Sequence, residues 1–283
     1  MKTGLIKTGL SFALVGVALA AMVMPARADQ LQDIMHRKVL RCATFADVPP
    51  FASPDPKTRE MVGFGVDLCK AVAQHLGVAA KITPVSVEAR VPEVQLGHVD
   101  IAIANLAYTI SRAKEIDFSD PYYIAKEMLA VRASSPGHHK ADFVGKRLSA
   151  TEGSTSELAV KLNKSVPLTF EDTGSVYMAV QQNKAVGMVA NTMTITELVA
   201  KSQTHGVKLR MIPEPMLLEP ICIGVKKGEP ALLDKINAIL VQMDHAGEIN
   251  TIWNKWLGPD TQYKMTRTDK VIPLKDLKFV PIP

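Results

Sequence analysis

Apolar positions along the chain alternate between the spacings typical of strands and of helices. Short apolar runs predict strands over residues 39–43, 81–85 and 99–106. Apolar residues at helical spacing predict helices over 66–76 and 90–96, and a glycine follows each of them. This order of strand, helix, strand, helix and strand predicts a doubly wound α/β lobe.

The same alternation restarts after a polar, irregular segment at 134–140, and it predicts a second α/β lobe. Its predicted strands are 148–150, 168–170, 186–190 and 207–211, and its predicted helices are one starting at 153, 175–182 and 192–202. Extended segments near Lys126 and Pro220 join the two lobes, so the chain crosses between them twice. We find no sequence repeat between the lobes.

The boundaries follow from these crossings. We predict a first lobe formed by residues 29–126 and 220–258, and a second lobe formed by residues 127–219. The first lobe includes a long amphipathic stretch over 231–257, with its apolar residues on one face. The last segment, 259–283, carries several lysines and prolines, which predicts an extended tail lying on the surface.

Residues 1–28 have the pattern of a secretory signal. Lys2 and Lys7 precede a short apolar run, and a small-x-small site ends at Ala28. No cysteine follows the cleavage site, so we expect no lipid anchor. Cleavage would remove three of the 33 basic residues, leaving 30 against 28 acidic ones, and the formal charge would fall from +5 to +2. A near-neutral chain does not imply nucleic-acid binding.

The chain has three cysteines, Cys42, Cys69 and Cys222, so at least one thiol is unpaired. Because all three lie in apolar strand or helix contexts, we expect them to be small core residues. The seven histidines show no metal-ligand spacing, and the adjacent pair His138 and His139 lies in a polar loop. We therefore expect neither a metal site nor a cofactor.

Polar residues follow the predicted strands at the edge where the two lobes would face each other. In open α/β sheets, ligands bind beyond the carboxyl ends of the strands. Arg112 follows the strand that ends at Leu106, and its planar guanidinium can hold a carboxylate with two hydrogen bonds. The alternative for Arg112 is a surface ion pair with Glu115 or Asp117.

Ser154 and Thr155 follow Gly153 at the predicted start of a helix in the second lobe. Backbone N–H groups and the helix dipole at such a start favour an anion. The alternative is a plain helix cap. If donors from opposite lobes held one carboxylate, the ligand would hold the cleft closed.

A series of short motifs occurs in a fixed order along the chain. They are GFGVDL at 63–68, RVP at 90–92, TISR at 109–112, DFSDPY at 117–122, EGST at 152–155 and WNKWL at 253–257. In this order and spacing the chain resembles the periplasmic solute-binding proteins of family 3, the polar amino-acid receptors of ABC importers. The resemblance covers about residues 35–258.

The resemblance implies a two-lobed periplasmic-binding-protein fold of type II, with two doubly wound α/β lobes joined by two extended crossings. It implies that Arg112 anchors a ligand carboxylate, with Thr109, the backbone of Ala107 and Thr155 as helpers. Asn105 and Ser154 complete the polar part of the predicted ligand site.

The chain differs from the family at the positions that would contact the ammonium and the side chain of the ligand. The family's ammonium-binding aspartate falls at Asn191, and positions that often carry covering aromatics fall at Val48 and Val87. An amide supplies no charge, so the missing charge either comes from Glu152 or Glu219, or the ligand has no free α-ammonium. Glu152, next to the Gly153 turn, is the better candidate, and Glu219 is expected to be a hinge-surface acid.

The resemblance implies a periplasmic binding protein of an ABC importer, not an enzyme. It would be a monomer that captures an amino acid or amino-acid-like carboxylate and passes it to an inner-membrane permease. Two alternatives stay open. The same family includes cyclohexadienyl dehydratases, in which Glu152 or Glu219 would serve as a general acid. The chain could also be the ligand-binding module of a membrane sensor.

Overall fold

The computed structural model describes residues 29–279 and 281–283, together with residues 1 and 4. The predicted signal segment therefore lies outside the described residues. Eight helices are described: α1 Gln30–Arg37, α2 Phe64–Leu76, α3 Arg90–Gln95, α4 Thr155–Leu162, α5 Thr173–Gln181, α6 Thr192–Ser202, α7 Pro230–His245 and α8 Glu248–Leu257. Among the described helices none is long and apolar enough to cross a membrane.

Twelve strands are described in the same part of the chain. They are β1 Val39–Phe45, β2 Ser53–Pro54, β3 Met61–Val62, β4 Ala79–Val85, β5 Ile101–Ala107, β6 Ile116–Phe118, β7 Tyr123–Arg132, β8 Arg147–Thr151, β9 Val166–Phe170, β10 Gly187–Asn191, β11 Leu209–Met211 and β12 Leu217–Lys226. The main sheet runs in the order β4-β1-β5-β12-β7-β10-β8-β9, with β6 on β12 and β11 on β7.

The sheet explains the two-lobed α/β architecture. Strands β4, β1 and β5 are parallel and belong to the first lobe, and β10, β8 and β9 are parallel and belong to the second. Between them, β12 and β7 pair antiparallel with each other and carry the chain across. The predicted lobe boundaries, at 126 and 220, lie within these two strands and stay predictions.

Helix α2 lies close to the sheet of the first lobe because of its glycines. A Cβ on Gly65 would lie 2.7 Å from the carbonyl oxygen of Ile103 on β5, so a larger residue would push the helix away. The helix buries Phe64, Leu68 and Val72 in the largest apolar cluster. The glycines of the 63–68 motif thus have a packing role.

The stretch predicted as a continuous amphipathic segment is two helices, α7 and α8. They separate at Gly247, whose φ of 72° is left-handed and incompatible with helix continuation. Both helices still bury their apolar faces against the first lobe, through residues such as Ile236, Leu240 and Trp253. The apolar pattern therefore identified the buried face, and the break at Gly247 within the stretch was not predicted.

All three cysteines are buried core residues, as expected, but the expectation did not foresee that two of them are paired. Cys42 on β1 and Cys69 on α2 form a disulfide, with Cα atoms 6.4 Å apart. Only Cys222 is free among them, and it is buried on β12. The packing of α2 against β1 brings the two sulfurs together, and neither residue's local sequence shows this.

Replacing both Cys42 and Cys69 with alanine is expected to lower the free energy of unfolding by about 3 kcal/mol. The crosslink spans a sequence separation of 27 residues, and loop closure in the unfolded chain accounts for an effect of this size. Urea titration of residues 29–283 measures it. Dithiothreitol should destabilise the wild type and leave the double variant unchanged; equal stability of the two proteins without reductant would contradict the prediction.

Candidate functional site

Arg112 reaches from the first lobe to the second. It opens a short 3₁₀ turn after β5, and its backbone N–H donates to the Thr109 hydroxyl at 3.1 Å. Its Nη1 donates to the carbonyl oxygen of Ala107 at 3.0 Å, and its Nη2 donates to that of Gly153 at 2.9 Å. The guanidinium is thus fixed at the cleft by carbonyls from both lobes, and burial lowers the pKa of Arg112 from its usual value.

The opposing wall is the start of α4. Ser154 is its N-cap and accepts the backbone N–H of Glu157 at 3.2 Å, and Thr155 is buried as its first residue. Gly153 has a φ of 67°, and a Cβ there would lie 3.0 Å from the side chain of Glu88 in the first lobe. The alternative prediction that Ser154 caps a helix is therefore correct. The turn at Gly153 also lies against the first lobe.

Two adjoining cavities lie between the lobes. The outer cavity, of about 200 Å³, is lined by Thr109, Ser111, Arg112, Gly153, Ser154, Thr155, Glu157, Leu158, Lys161 and Pro283. The inner cavity, of about 40 Å³, is lined by Phe45, Val48, Val87, Arg90, Asn105, Glu127, Thr151, Ser154, Thr155, Ser156, Thr173, Ala190, Asn191 and Thr194. Ser154 and Thr155 line both, so the two cavities are parts of one cleft.

The structure brings together most of the predicted site residues. Arg112 and Thr109 lie at the outer cavity, and Ala107 joins them through its carbonyl. Four more of the predicted residues line the inner cavity: Asn105, Val48, Val87 and Asn191. Ser154 and Thr155 line both cavities.

Glu152 does not belong to this group. Thr151, the last residue of β8, lines the inner cavity, and successive side chains of a strand point to opposite sides. Glu152 is accordingly exposed and lines neither cavity. The interpretation of Glu152 as the better candidate for a charge in the cleft was therefore wrong.

Glu127 lines the inner cavity and was not predicted as a site residue. The prediction that Glu219 is a hinge-surface acid was wrong, because Glu219 is buried next to Glu127, although it lines neither cavity. Glu219 is fully buried and Glu127 is 2% exposed. The Ser156 hydroxyl donates to Glu127 Oε2 at 2.6 Å. Burial and the neighbouring Glu219 raise the pKa of Glu127 well above its usual value, and burial also raises the pKa of Glu219.

Arg90 supplies a second guanidinium near these acids. Its Nε donates to the carbonyl oxygen of Val87 at 2.7 Å, and Nη1 donates to that of Ala104 at 2.9 Å. The guanidinium carbon lies 5.1 Å from the ring centre of Phe45. Burial and the charge of Arg112 lower the pKa of Arg90, and Glu219 and Glu127 oppose that shift. The wall of the inner cavity therefore contains one arginine, Arg90, and one carboxyl group, Glu127. The charges of Arg112 and Glu219 act on Arg90 from outside that wall.

Asn191 is used as a helix cap. Its Oδ1 accepts the backbone N–H of Thr194 at 3.0 Å at the start of α6. Its side chain still borders the inner cavity, and Val48 and Val87 are half-buried on another part of the wall. Phe45 is an aromatic side chain of that wall. Among the described residues no cluster of three or more His, Cys, Asp and Glu side chains is placed to hold a metal ion.

The C-terminal residues lie beside Arg112. The backbone N–H of Ile110 donates to the carbonyl oxygen of Ile282 at 2.8 Å, and the Ser111 hydroxyl donates to the carbonyl oxygen of Pro283 at 3.1 Å. Ile282 is 1% exposed. The tail is mostly irregular, as expected. Hydrogen bonds and the buried side chain of Ile282 hold its end against the first lobe.

Replacing Glu219 with glutamine is expected to raise the melting temperature more at about pH 8 than at about pH 5. A carboxyl whose folded pKa is raised contributes stability below the ordinary pKa of 4.5, and this contribution is lost as the pH rises towards the folded value. The side chains of Thr155 and Glu127, and then the charges of Arg112 and Arg90, oppose the shift without reversing it. Melting curves at both pH values measure the effect.

The matched control for this prediction is Glu171→Gln, because Glu171 is an exposed acid of the second lobe. Its melting temperature should follow that of the wild type at both pH values. A Glu219→Gln variant with the same pH dependence as the wild type would show that Glu219 ionises normally.

The sequence of this chain is similar to those of known binding proteins. The model of the family "Bacterial extracellular solute-binding proteins, family 3" matches residues 40–259. The chain is 27% identical over 238 residues to the ABC transporter glutamine-binding protein GlnH of Bacillus subtilis, covering 82% of this chain and 86% of that protein. It is 24% identical over 258 residues to the L-cystine-binding protein TcyJ of Escherichia coli K12, covering 88% and 96%.

Solved structures show the same architecture. An ancestral arginine-binding protein bound to arginine is 31% identical and superposes with a TM-score of 0.71, covering 78% of this chain and 99% of that one. The ancestral amino-acid-binding protein AncCDT-1, described as a precursor of cyclohexadienyl dehydratase, is 30% identical with a TM-score of 0.71, covering 82% and 100%. The tail beyond residue 259 lies outside the family match.

Proposed function

Because the chain belongs to the bacterial extracellular solute-binding proteins of family 3, we propose that it binds an amino acid or amino-acid-like carboxylate between its lobes for an ABC importer. The relatives named above bind glutamine, cystine or arginine by their printed descriptions. Each is named as a binding protein, and this favours capture of a ligand over its chemical conversion.

The observation that carries this proposal is the position of Arg112. Its guanidinium spans from Ala107 to Gly153 and borders a cavity with the hydroxyls of Thr109, Ser154 and Thr155. The N–H groups of this planar guanidinium that the two backbone carbonyls leave free match the geometry of a carboxylate. A ligand carboxylate held there would touch both lobes, and such a ligand stabilises the closed form by its differential affinity.

The place of action follows from the same family. Its members are described as extracellular, and we propose that this chain acts in the periplasm after cleavage between Ala28 and Asp29, without a lipid anchor. We also propose that it is a monomer and passes its ligand to an inner-membrane permease.

A thermal-shift panel on residues 29–283 tests the proposed function. The panel contains the common amino acids, N-substituted derivatives, and the matching acids without nitrogen. We expect at least one carboxylate ligand to raise the melting temperature, because a ligand that binds only the folded state stabilises it. A panel in which no carboxylate produces a shift would contradict the proposal.

A further inference from the structure

Two carboxyl groups of the cleft lie on one face of the two crossing strands. Glu127 lies opposite Leu217 in the antiparallel pair of β7 and β12, and Glu219 is two residues further along β12. Residues two apart on a strand point to the same side, so the two side chains are diagonal neighbours. The register of the crossing strands therefore places two buried acids side by side, with Glu127 in the wall of the inner cavity.

The pair lacks partners for part of its hydrogen-bonding capacity. Both carboxylate oxygens of Glu219 are buried and form no well-aligned hydrogen bond among residues 29–279 and 281–283, and the side chains next to them are those of Thr155 and Glu127. An unsatisfied buried polar group is destabilising, and native proteins rarely keep one without a reason. Ser156 donates to Glu127, so the hydroxyls of this wall satisfy the pair only in part.

The cation Arg112 and the acid Glu127 lie at different parts of the cleft. Arg112 lies at the outer cavity, and Glu127 lies in the wall of the inner cavity. Thr155 borders both cavities and so lies between the two charged groups. Arg90, the other cation of the inner wall, already donates to the carbonyls of Val87 and Ala104. If the carboxylate of a ligand lies at Arg112, a cationic group next to that carboxylate on the same ligand would therefore point towards Glu127.

Position 191 offers an independent way to test this arrangement. Asn191 is directly opposite Glu127 in the antiparallel pair of β10 and β7, and both side chains line the inner cavity. Side chains directly opposite each other have Cβ atoms about 5 Å apart. A carboxylate placed at 191 would reach nearly the same part of the cavity as the one at 127.

We propose that Glu127, together with Glu219, binds the ammonium of an α-amino acid, so that the cleft selects zwitterions over acids without an amine. The inference rests on the proposed function, because it requires the ligand carboxylate to lie at Arg112. The ligand's N–H groups donate to Glu127 in the cavity wall, and Glu219 adds its charge from the buried position behind it. Asn191 keeps its role as the cap of α6.

The experiment measures affinities by calorimetry on residues 29–283 with two matched pairs of probes. The pairs are L-arginine and L-glutamine, each with its analogue in which hydrogen replaces the α-ammonium. For the wild type we expect the amino acid of a pair to bind about tenfold or more tightly than its analogue, because bonds between charged groups are stronger than neutral ones.

Two variants then locate the ammonium site. Glu127→Gln keeps the shape and the hydrogen bond to Ser156, and it should remove most of the preference for the amino acid without weakening the analogue. Adding Asn191→Asp to Glu127→Gln should restore the preference to within about threefold of the wild type, since it returns a carboxylate to the same part of the cavity. Melting curves without ligand confirm that both variants fold.

The outcomes separate this inference from the function on which it rests. If Arg112→Ala abolishes binding of both probes while Glu127→Gln leaves their ratio unchanged, the function stands and the ammonium site is wrong. A wild type that binds analogue and amino acid equally also overturns the inference. If only acids without an amine bind the wild type, the inference fails and the carboxylate-binding function stands; if no carboxylate of the thermal-shift panel binds, both fail.

Discussion

Replacing Arg112 with alanine is expected to abolish ligand binding or weaken it between about thirtyfold and several thousandfold. Removing one partner of a buried, hydrogen-bonded charge pair costs about 2–5 kcal/mol, which corresponds to that range in the dissociation constant. The substitution also removes the bond from Nη2 to Gly153, through which the first lobe holds the second. Calorimetry with a ligand found in the thermal-shift panel measures the loss.

Two further substitutions show whether the guanidinium itself is responsible. Arg112→Lys keeps the charge but lacks the planar fork, so it should give an intermediate loss of affinity. Lys114→Ala removes an exposed cation from the same 3₁₀ turn and should bind as the wild type does. If Arg112→Ala retained the full thermal shift, the carboxylate would have to be held elsewhere.

The sequence was a good guide wherever one local pattern decides the structure. Apolar runs located β1 and β5, because a buried parallel strand is apolar on both faces. The edge strand β4 was located from its shorter apolar run, although most of its residues are exposed or half-buried. The turn after β5 could be found in the same way, and it placed Arg112 at the edge where the lobes meet. These features depend on short stretches of chain and on the rule that ligands bind at the carboxyl ends of strands.

The features that the sequence missed depend on which elements become neighbours. Glu127 and Glu219 are acids within largely apolar strands, and only the pairing of β7 with β12 shows that they share a face. Cys42 and Cys69 pair because α2 packs on β1. The isolated acid inside each apolar run was the signal available beforehand, since a charged residue in a buried strand needs a reason to be there.

The tail contains the most strongly buried ion pair of the described chain, between Arg267 and Asp244 of α7. Their side chains are 1% and 3% exposed, and Arg267 Nη1 lies 2.7 Å from Asp244 Oδ1. Nη1 also donates to Asn250 Oδ1, and Nε donates to the carbonyl oxygen of Tyr122 just before β7. Arg267 therefore joins the tail, α7, α8 and the start of a crossing strand at one point.

Replacing Arg267 with alanine is expected to lower the free energy of unfolding by about 3–5 kcal/mol, because it leaves Asp244 buried without its partner. The melting temperature should fall by on the order of 10 °C in a chain of this size. Urea titration and melting curves of residues 29–283 measure both quantities. Lys275→Ala is the matched control, since Lys275 is an exposed cation of the same segment and its loss should change stability by less than about 0.5 kcal/mol. A variant at 267 that melts with the control would mean that the tail is not held by this ion pair and that the first lobe is stable without it.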